Sequence, residues 1–279
     1  MRTFSAAGNR KSERTNRFND LVMALKIGFL LSAFFPNLPC LFMAWSTKSF
    51  LKKLKKVFIF LFIGHLLYIV LLRWVDPPIT LTQFSNWVEG NGLKRDYVTY
   101  REMSPNIKLA VMASEDQLFP NHNGFDVESI KKAWKEKDKK RKRVRGASTI
   151  SQQVAKNVFL WQGRSWIRKG LEVYFTFMIE LIWGKERILE VYLNVAEMGK
   201  GIFGVEAASR NYFKKPAKKL TRAEAAMIAA CLPSPKRLRV QPPSPYINRR
   251  YPQIMVQMNN IEPDEDVQEL LQIASNSKK

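Results

Sequence analysis

Two adjacent carboxylates, Glu115 and Asp116, follow a segment with helical periodicity and precede the polar run His122-x-Gly124-x-Asp126. A carboxylate that is partly withdrawn from water can take a proton from an attacking hydroxyl, so the pair is a candidate for general-base catalysis. Adjacent helical residues do not face each other, so the two carboxylates would point in different directions. The pair alone decides little, because acidic residues at a helix end are usually solvated or cap another helix.

A second group of polar residues surrounds the predicted start of a helix. Ser148 and Thr149 follow a glycine, and Thr149 with Gln152 has the spacing of a capping box, which begins helices. The free N–H groups and the dipole at a helix start attract anions. Lys156 lies one turn beyond Gln152 on the same predicted face, and Asn157 is next to it. The segment therefore predicts an anion site, and simple capping of the helix stays open as the alternative.

A third group combines two cations with a carboxylate. Arg164, Arg168 and Glu172 are spaced four residues apart, so they share one face if the segment is a single helix. An ion pair on the protein surface is the simplest interpretation of that spacing. Aromatic and aliphatic residues surround the set, however, and Lys156 adds a cation nearby in sequence. These features favour a functional cluster over a surface ion pair.

The composition agrees with an anionic partner. The 279 residues include 46 Lys and Arg against 24 Asp and Glu, a net charge of +22, and 46% are hydrophobic, which is enough for a real core. Such an excess of positive charge predicts nucleic acid, an anionic membrane surface or a phosphate-bearing substrate as the partner. The run from Lys131 to Arg145 is either a solvated segment or a contact with lipid headgroups. The few Cys and His residues form neither a disulfide framework nor a zinc-ligand pattern.

One apolar segment predicts the compartment. Residues 57–75 form a nearly continuous apolar run, close to the ~20 residues that cross a bilayer. Four lysines from Lys52 to Lys56 precede this run. By the positive-inside rule, these lysines stay in the cytoplasm and the chain after the run lies outside. A cleaved signal peptide and a buried soluble helix are the alternatives. The run is long for a signal peptide, and no small-residue cleavage site follows it, so we expect a transmembrane helix.

The chain resembles the peptidoglycan glycosyltransferases in five runs that occur in the family's order: EDQLFPNHNGFD, GASTISQQVAKN, RKGLE, KERILEVYLNVAEMGKGIFGVEAASRNYF and LTRAEAAMIAACLPSP. This domain occurs in class A penicillin-binding proteins and in monofunctional biosynthetic transglycosylases. The resemblance covers the chain from Ile107 to Pro235 and departs from the motifs at no chemical position. The complete set of Ser-x-x-Lys, Ser-x-Asn and Lys-Thr-Gly motifs of a transpeptidase is absent, so the chain is most similar to the monofunctional enzymes.

The resemblance implies a mainly α, lysozyme-like domain of two lobes behind an N-terminal transmembrane helix. It also implies the reaction: the C4 hydroxyl of lipid II attacks the anomeric carbon of the growing lipid-linked glycan strand, with inversion and release of undecaprenyl pyrophosphate. By its match to the first motif, Glu115 is the general base. Glu172 matches the family's second catalytic carboxylate, and the sequence leaves open whether it orients the cations or assists the leaving group.

The same resemblance implies the remaining roles at the site. Fixed cations stabilise the charge that grows on a departing pyrophosphate. The expected clamp consists of Lys156, Arg164, Arg168 and Lys169. The residues expected to complete it by hydrogen bonding are Ser148, Thr149, Gln152 and Asn157. Supporting roles fall to Asp116, His122 and Asp126. The sequence requires no metal and no cofactor, although stimulation by a divalent cation stays open.

Partners and location follow from the same resemblance. The implied substrates are lipid II and the nascent glycan strand, and membrane lipid is a further partner. Proteins of cell-wall synthesis or division stay open as partners, whereas nucleic acid is not expected because no RNA- or DNA-binding motif is present. The implied location is the bacterial cytoplasmic (inner) membrane, crossed once, with the catalytic domain on the periplasmic or outer face.

Two other functions are alternatives to this interpretation. The nearest is a lysozyme-like muramidase or lytic transglycosylase that cleaves glycan strands. A pyrophosphate clamp has no role in such an enzyme, so the cationic residues argue against it. The other is a non-enzymatic basic binding protein, for example one for nucleic acid, and the apolar segment weighs against that.

The segments predict five regions in the chain. Residues 1–56 form a basic N-terminal region, 57–75 a transmembrane helix, 76–104 a juxtamembrane connector, 105–260 the peptidoglycan glycosyltransferase domain and 261–279 a loose polar tail. The pattern of the catalytic domain is helical, and no clear run of alternating residues predicts a strand. A further apolar stretch, Leu21 to Phe35, is a second membrane segment, a re-entrant piece or a consequence of the start site, since Met43 also opens a natural basic flank and anchor.

Overall fold

The computed structural model of the protein describes residues 47–128, 131, 148–163 and 165–276. The chain divides into two compact units, residues 1–62 and residues 63–279, and we call the second the catalytic unit. Several predictions lie outside the described residues. They concern the apolar stretch Leu21 to Phe35, the start at Met43, the cation Arg164 and most of the basic run Lys131 to Arg145.

A long apolar helix, α1, spans Thr47–Leu71. From Phe50 to Leu71 it is long and apolar enough to cross a membrane, and no other helix among the described residues is. It begins earlier than the sequence predicts because Lys and Leu are strong helix formers, so the basic flank continues the helix. It ends at Leu71 rather than Val75, ahead of Pro77 and Pro78, which cannot continue a helix.

The last turns of α1, from Ile63, belong to the catalytic unit. Trp183 Nε1 donates a hydrogen bond to the carbonyl oxygen of Ile69 at 2.8 Å, and Arg187 Nε donates to that of Leu72 at 3.1 Å. Carbonyl groups at the C-terminal end of a helix have no partner within the helix, so these side chains satisfy them. The end of α1 is therefore fixed to the catalytic unit.

The described part of the catalytic unit is mostly helical, as the sequence predicts. Its helices are α2 (Leu81–Val88), α3 (Pro105–Glu115), α4 (Ile150–Phe159), α5 (Trp166–Ile182), α6 (Lys185–Val195), α7 (Val205–Phe213), α8 (Arg222–Cys231), α9 (Pro245–Ile261) and α10 (Glu265–Asn276). Two single 3₁₀ turns lie at Tyr100–Glu102 and Ala217–Lys219.

The helices pack in two groups around one continuous apolar core. In the first, which we call the α9 group, α3 packs against α8, α9 and α10, and α8 packs against α9. In the second, the α5 group, α4 packs against α2, α5 and α6. The C-terminal end of α3 and the N-terminal part of α4 carry the first two candidate motifs, so the site lies where the two groups meet.

A small sheet of three strands was not predicted from the sequence. It consists of β1 (Lys94–Arg95), β2 (Glu197–Gly199) and β3 (Ile202–Phe203), in the order β1-β3-β2. β1 is parallel to β3, and β2 is antiparallel to it. Strands of two or three residues are too short to show alternation. The turn between β2 and β3 requires Gly201, because its φ is +67° and a Cβ there would lie 2.1 Å from the carbonyl oxygen of Asn91.

The predicted connector and tail both contain regular structure. The connector, residues 76–104, holds α2, β1 and the first 3₁₀ turn, and it buries Tyr100 and Met103 in the core. The predicted loose tail contains α10 instead, which buries Val267 and Leu270 against α3. These two residues are three apart and so share one helix face. Because so few apolar positions mark that face, the polar composition of the segment concealed the helix.

Candidate active site

Glu115 is the last residue of α3 and lies in the interior of the site. Its position follows Ile107 and Val111 at intervals of four residues, and both of those are fully buried, so Glu115 continues an inward-facing row. Burial raises the pKa of the Glu115 carboxyl, while the amide of Gln153 and the charges of Arg250 and Lys156 act in the opposite direction. A carboxylate with a raised pKa accepts a proton more readily, as a general base requires.

Asp116 and His122 connect the first motif to the second. Asp116 Oδ2 accepts a hydrogen bond from the backbone N–H of Ile150 at 2.9 Å, and His122 Nε2 lies 3.0 Å from Asp116 Oδ1. The backbone N–H of Gly124 donates to His122 Nδ1 at 3.1 Å, so the proton of the neutral imidazole is on Nε2 and is donated to Asp116. The pair therefore fixes the end of α3 to the start of α4, which is a supporting role.

Thr149 and Gln152 form the predicted capping box at the start of α4. Thr149 Oγ1 accepts from the backbone N–H of Gln152 at 3.1 Å, and Gln152 Oε1 accepts from that of Thr149 at 3.0 Å. The Thr149 hydroxyl also donates to the carbonyl oxygen of Gly124 at 2.7 Å. In this structure the two side chains therefore cap α4, which is the alternative that the sequence left open. Thr149 also joins the second motif to the first through Gly124.

The other predicted hydrogen-bonding and supporting residues lie around this cap. Ser148 is exposed immediately before Thr149, and Asn157 is half-buried on α4. Asp126 is half-buried two residues beyond Gly124. Gly124 itself has a φ of +83°, and a Cβ there would lie 2.7 Å from Thr176 Cγ2 on α5. The loop of the first motif therefore packs directly on α5, and only glycine fits at that contact.

The beginning of α5 carries a carboxylate shared by two cations. The helix begins at Trp166, and Ser165 caps it by accepting from the backbone N–H of Arg168 at 3.1 Å. Arg168 Nη1 lies 3.4 Å from Glu172 Oε2, and Lys169 Nζ lies 2.5 Å from Glu172 Oε1. Only 4% of Glu172 is exposed. The predicted four-residue pair is thus present for Arg168 and Glu172, and the cations have one buried carboxylate between them.

Lys156, on α4, is a third cation at the same place. Burial lowers the pKa of its ammonium group, while the negative charges of Glu172 and Glu115 raise it. Both candidate catalytic carboxylates, Glu115 and Glu172, are therefore close enough for their charges to act on Lys156. Arg168 Nε is buried and has no hydrogen-bond partner among the described residues. Two cations paired with one carboxylate, a third cation nearby and an unsatisfied donor give an arrangement that can attract an anion of more than one charge.

Three further residues at the site were not predicted from the sequence. Gln153 Nε2 donates to Glu115 Oε2 at 2.9 Å, and the buried Tyr192 hydroxyl donates to Gln153 Oε1 at 3.4 Å. Gln153 and Tyr192 lie within the runs that resemble the family, so their position in the motifs is the signal that could have identified them as site residues. Arg250, on α9, lies close enough to Glu115 for its charge to act on that carboxyl. It is outside the motifs, and no local spacing indicates it.

No metal centre is evident in the described residues, where no three His, Cys, Asp or Glu side chains are grouped to hold an ion.

A further network of polar contacts surrounds Glu180, on α5. Lys185 Nζ lies 2.7 Å from Glu180 Oε1 and also donates to the carbonyl oxygen of His122. Ser151 Oγ donates to the same Glu180 oxygen at 2.5 Å. This network holds the first-motif loop against α5 and α6.

Comparison with known proteins gives a consistent picture. A family model described as Transglycosylase matches residues 82–259. The biosynthetic peptidoglycan transglycosylases of Escherichia coli (strain K12 / DH10B) and Shigella boydii serotype 4 (strain Sb227) are each 56% identical to this chain over 179 residues. The matched region is 63% of this chain and 74% of each relative. Residues 82–259, which the family model matches, contain every described candidate site residue.

Proposed function

This chain belongs to the transglycosylase family, and from that premise we propose that it polymerises the glycan strands of peptidoglycan, with Glu115 as the base. One observation carries the assignment of the site: the half-buried carboxylate of Glu115, whose pKa is raised, lies near Lys156 and near Glu172, which pairs with Arg168 and Lys169. Glycosyl transfer from a pyrophosphate needs both parts. The base accepts a proton from the attacking hydroxyl, and the cations hold the departing anion.

In the proposed reaction, Glu115 takes the proton of the C4 hydroxyl of lipid II. The hydroxyl oxygen attacks the anomeric carbon of the growing strand and forms the new glycosidic bond with inversion. The bond between that carbon and the pyrophosphate oxygen breaks, and undecaprenyl pyrophosphate leaves. Gln153 donates a hydrogen bond to Glu115 and so fixes the direction of the carboxylate toward the hydroxyl.

The leaving pyrophosphate binds at the cations of α4 and α5 in this proposal. Arg168 offers a forked donor, and Lys156 and Lys169 supply point charges. Glu172 contacts both Arg168 and Lys169, so we assign it the positioning of these cations. A pyrophosphate is stable as an anion and needs no strong general acid, so a second proton donor of the glycosidase type is not required.

Helix α1 fits a single-pass membrane anchor. We propose that it crosses the bacterial inner membrane with the catalytic unit on the periplasmic face, because the lysines of the flank precede the apolar span. The substrate's lipid tail stays in the bilayer, so an anchored enzyme meets it at a higher effective concentration. Partners in cell-wall synthesis or division remain a prediction.

The alternative function, cleavage of finished glycan, has less support. The similar proteins are named as biosynthetic enzymes. Finished peptidoglycan also carries no pyrophosphate, so a cleaving enzyme would have no use for the three cations of α4 and α5.

The test is to incubate the full-length protein separately with lipid II and with purified sacculi. Glycan polymer is expected from lipid II, and soluble muropeptides are not expected from sacculi. Lys156→Ala removes one contact to the pyrophosphate, worth about 1.5–3 kcal/mol, and is expected to slow polymerisation about 10- to 100-fold. The matched control is Lys219→Ala, which removes the same charge from an exposed position in a 3₁₀ turn. Cleavage of sacculi without polymer from lipid II would overturn the proposal.

A further inference from the structure

A chain of two hydrogen bonds ends at the carboxylate of Glu115. Gln153 Nε2, on α4, donates to Glu115 Oε2 at 2.9 Å. The hydroxyl of Tyr192, on α6, donates to Gln153 Oε1 at 3.4 Å. The three residues are distant in sequence and lie on three different helices, so only the packing of α4 on α6 and the position of α3 bring them together.

Tyr192 combines a buried ring with a hydroxyl that reaches the site. Only 1% of the residue is exposed, and its ring belongs to the apolar core. A phenylalanine would fill the same core volume, so the hydroxyl adds nothing to the apolar packing. A buried tyrosine hydroxyl requires a hydrogen-bond partner. Among the described residues, the partner it reaches is the amide oxygen of Gln153, which connects Tyr192 to the proposed base.

The two ends of the Gln153 amide differ chemically, and an ionised carboxylate can use only one of them. An ionised carboxylate accepts hydrogen bonds and cannot donate them, so it needs the N–H end of the amide. A phenol donates better than it accepts, because its ring withdraws electron density from the oxygen. The Tyr192 hydroxyl therefore favours the orientation in which the amide oxygen faces it and the N–H faces Glu115. Successive hydrogen bonds also polarise one another, which makes that N–H a stronger donor.

We propose that Tyr192 is a positioning residue for the base: its hydroxyl orients the Gln153 amide, whose N–H then stabilises the ionised form of Glu115. This inference rests on the proposed function, in which Glu115 takes a proton from the attacking hydroxyl. Because Tyr192 is buried, it acts through Gln153 and not on the substrate.

Tyr192 acts as a hydrogen-bond donor and not as a charge. The titratable or charged groups that act on Glu115, or on which Glu115 acts, come from α3, α4, α6, α8 and α9: Asp116, Lys156, Tyr192, Cys231 and Arg250. Burial raises the pKa of Tyr192 well above its ordinary value of 10.0 and raises the pKa of Cys231 to about 12. Both are therefore neutral near pH 7, where the proposed base must be ionised.

The test titrates Glu115 directly in the full-length protein, purified in detergent and isotopically labelled at the side-chain carboxyl of glutamate. The nuclear magnetic resonance signal of Glu115 is the one that is missing in Glu115→Gln. Tyr192→Phe removes the donor to the amide oxygen and so weakens the N–H contact with the ionised carboxylate. The titration midpoint of Glu115 is expected to rise by about 0.3–1 pH unit, a two- to tenfold change in its proton affinity.

Tyr212→Phe is the matched control. The hydroxyl of Tyr212 donates to the carbonyl oxygen of Met198 at 2.9 Å, so this change also removes one phenolic donor but leaves Gln153 untouched. The midpoint of Glu115 should not move in that variant. In the double variant of Gln153→Met with Tyr192→Phe, the midpoint should rise no further than in Gln153→Met alone, because the two residues act through one contact.

A second variant predicts a shift of the opposite sign. Replacement of Tyr192 by a fluorinated tyrosine keeps the ring and the hydroxyl, and the fluorine makes the hydroxyl a stronger donor. The midpoint of Glu115 should then fall. This measurement also decides the matter if Tyr192→Phe does not fold, since an unchanged or raised midpoint with the fluorinated residue contradicts the proposal.

An unchanged or lowered midpoint in Tyr192→Phe would overturn the proposal. So would a rise in the double variant equal to the sum of the two single rises, because Tyr192 would then act on Glu115 without Gln153. The titration uses no lipid II, so its failure leaves the proposed function intact. A failure of polymerisation, in turn, leaves the midpoint of Glu115 measurable.

Discussion

Helices α5 and α9 have the same length but different interiors. Each has 17 residues and each buries three side chains. α9 buries the apolar residues Ile247, Ile254 and Met258, whereas α5 buries Glu172, Thr176 and Ile179. On its outward face α5 exposes large apolar side chains, with 92% of Trp166 and more than half of Phe177 exposed.

The difference separates two tasks within one fold. The α9 group packs apolar side chains together, and that packing supplies stability and supports α3. Within the α5 group, α5 itself turns Glu172 and Thr176 inward. Glu172 holds the cations Arg168 and Lys169, whose attraction for an anion is stronger where the surroundings are less polar. The large apolar residues Trp166 and Phe177 of α5 face outward. The proposed base, Glu115, lies on α3 of the α9 group and accepts a hydrogen bond from Gln153 of the α5 group.

The largest effect is expected where the two groups meet. Glu115→Gln keeps the volume of the side chain but cannot accept a proton, so polymerisation of lipid II is expected to fall by about 10²–10⁴-fold, the range for a lost general base. Binding of lipid II and the melting temperature should change little, because the cations of α4 and α5 are untouched.

The control for this change is Glu265→Gln, an exposed carboxylate at the start of α10. It removes the same charge from the α9 group and should leave the rate unaltered. If Glu115→Gln retained more than about a tenth of the wild-type rate, well outside the range for a general base, Glu115 would not be the base.

A second prediction compares the interiors directly. Ile254→Ala leaves a cavity in the apolar packing of α9 and is expected to lower the free energy of unfolding by about 2–5 kcal/mol. Thr176→Val on α5 keeps the shape and removes only the hydrogen bond from Oγ1 to the carbonyl oxygen of Glu172, 2.7 Å away. That loss is expected to cost about 0.5–1.5 kcal/mol. Chemical denaturation of both variants in the same detergent measures the difference. Equal destabilisation would show that the two helices contribute to stability in the same way.

Local spacing predicted those parts of the structure that depend on neighbours in sequence. The capping box of Thr149 and Gln152 and the pair of Arg168 and Glu172 each lie within one turn of helix, and both are present. The contact of Gln153 with Glu115 joins residues 38 apart, and no periodicity encodes it. The resemblance to a family supplied the role of Glu115, which spacing alone left open.

Periodicity also identifies an amphipathic helix without stating which face is buried. The pattern of α2 contains a polar and an apolar side, and only its hydrogen bonds to Tyr97 and Gln162 reveal that the polar side faces inward. The small sheet and α10 were missed for a different reason. Their buried positions are too few to outweigh a polar or irregular composition, and their stability comes from contacts distant in sequence.

The smallest predicted effect concerns the single hydrogen bond that joins the two groups at Glu115. Burial raises the pKa of this carboxyl from its ordinary value of 4.5, so the rate should be lost as the pH falls through that raised value, because a protonated carboxyl cannot act as a base. Burial lowers the pKa of Lys156 from 10.5, so the alkaline loss of rate should begin earlier than for an ordinary lysine.

The N–H of Gln153 stabilises the charged form of Glu115, so Gln153→Met should raise the pKa of Glu115 further and move the acid limb of the pH–rate profile to higher pH. A hydrogen bond of about 0.5–1.5 kcal/mol corresponds to an additional two- to tenfold loss of rate on that limb. The alkaline limb should stay in place, which distinguishes this effect from general damage to the site. Gln268→Met is the matched control, since it removes an amide of the same kind, which donates to the backbone carbonyl oxygen of Glu262 at 2.6 Å. An acid limb that did not move in Gln153→Met would show that the α5 group does not tune the base carried by the α9 group.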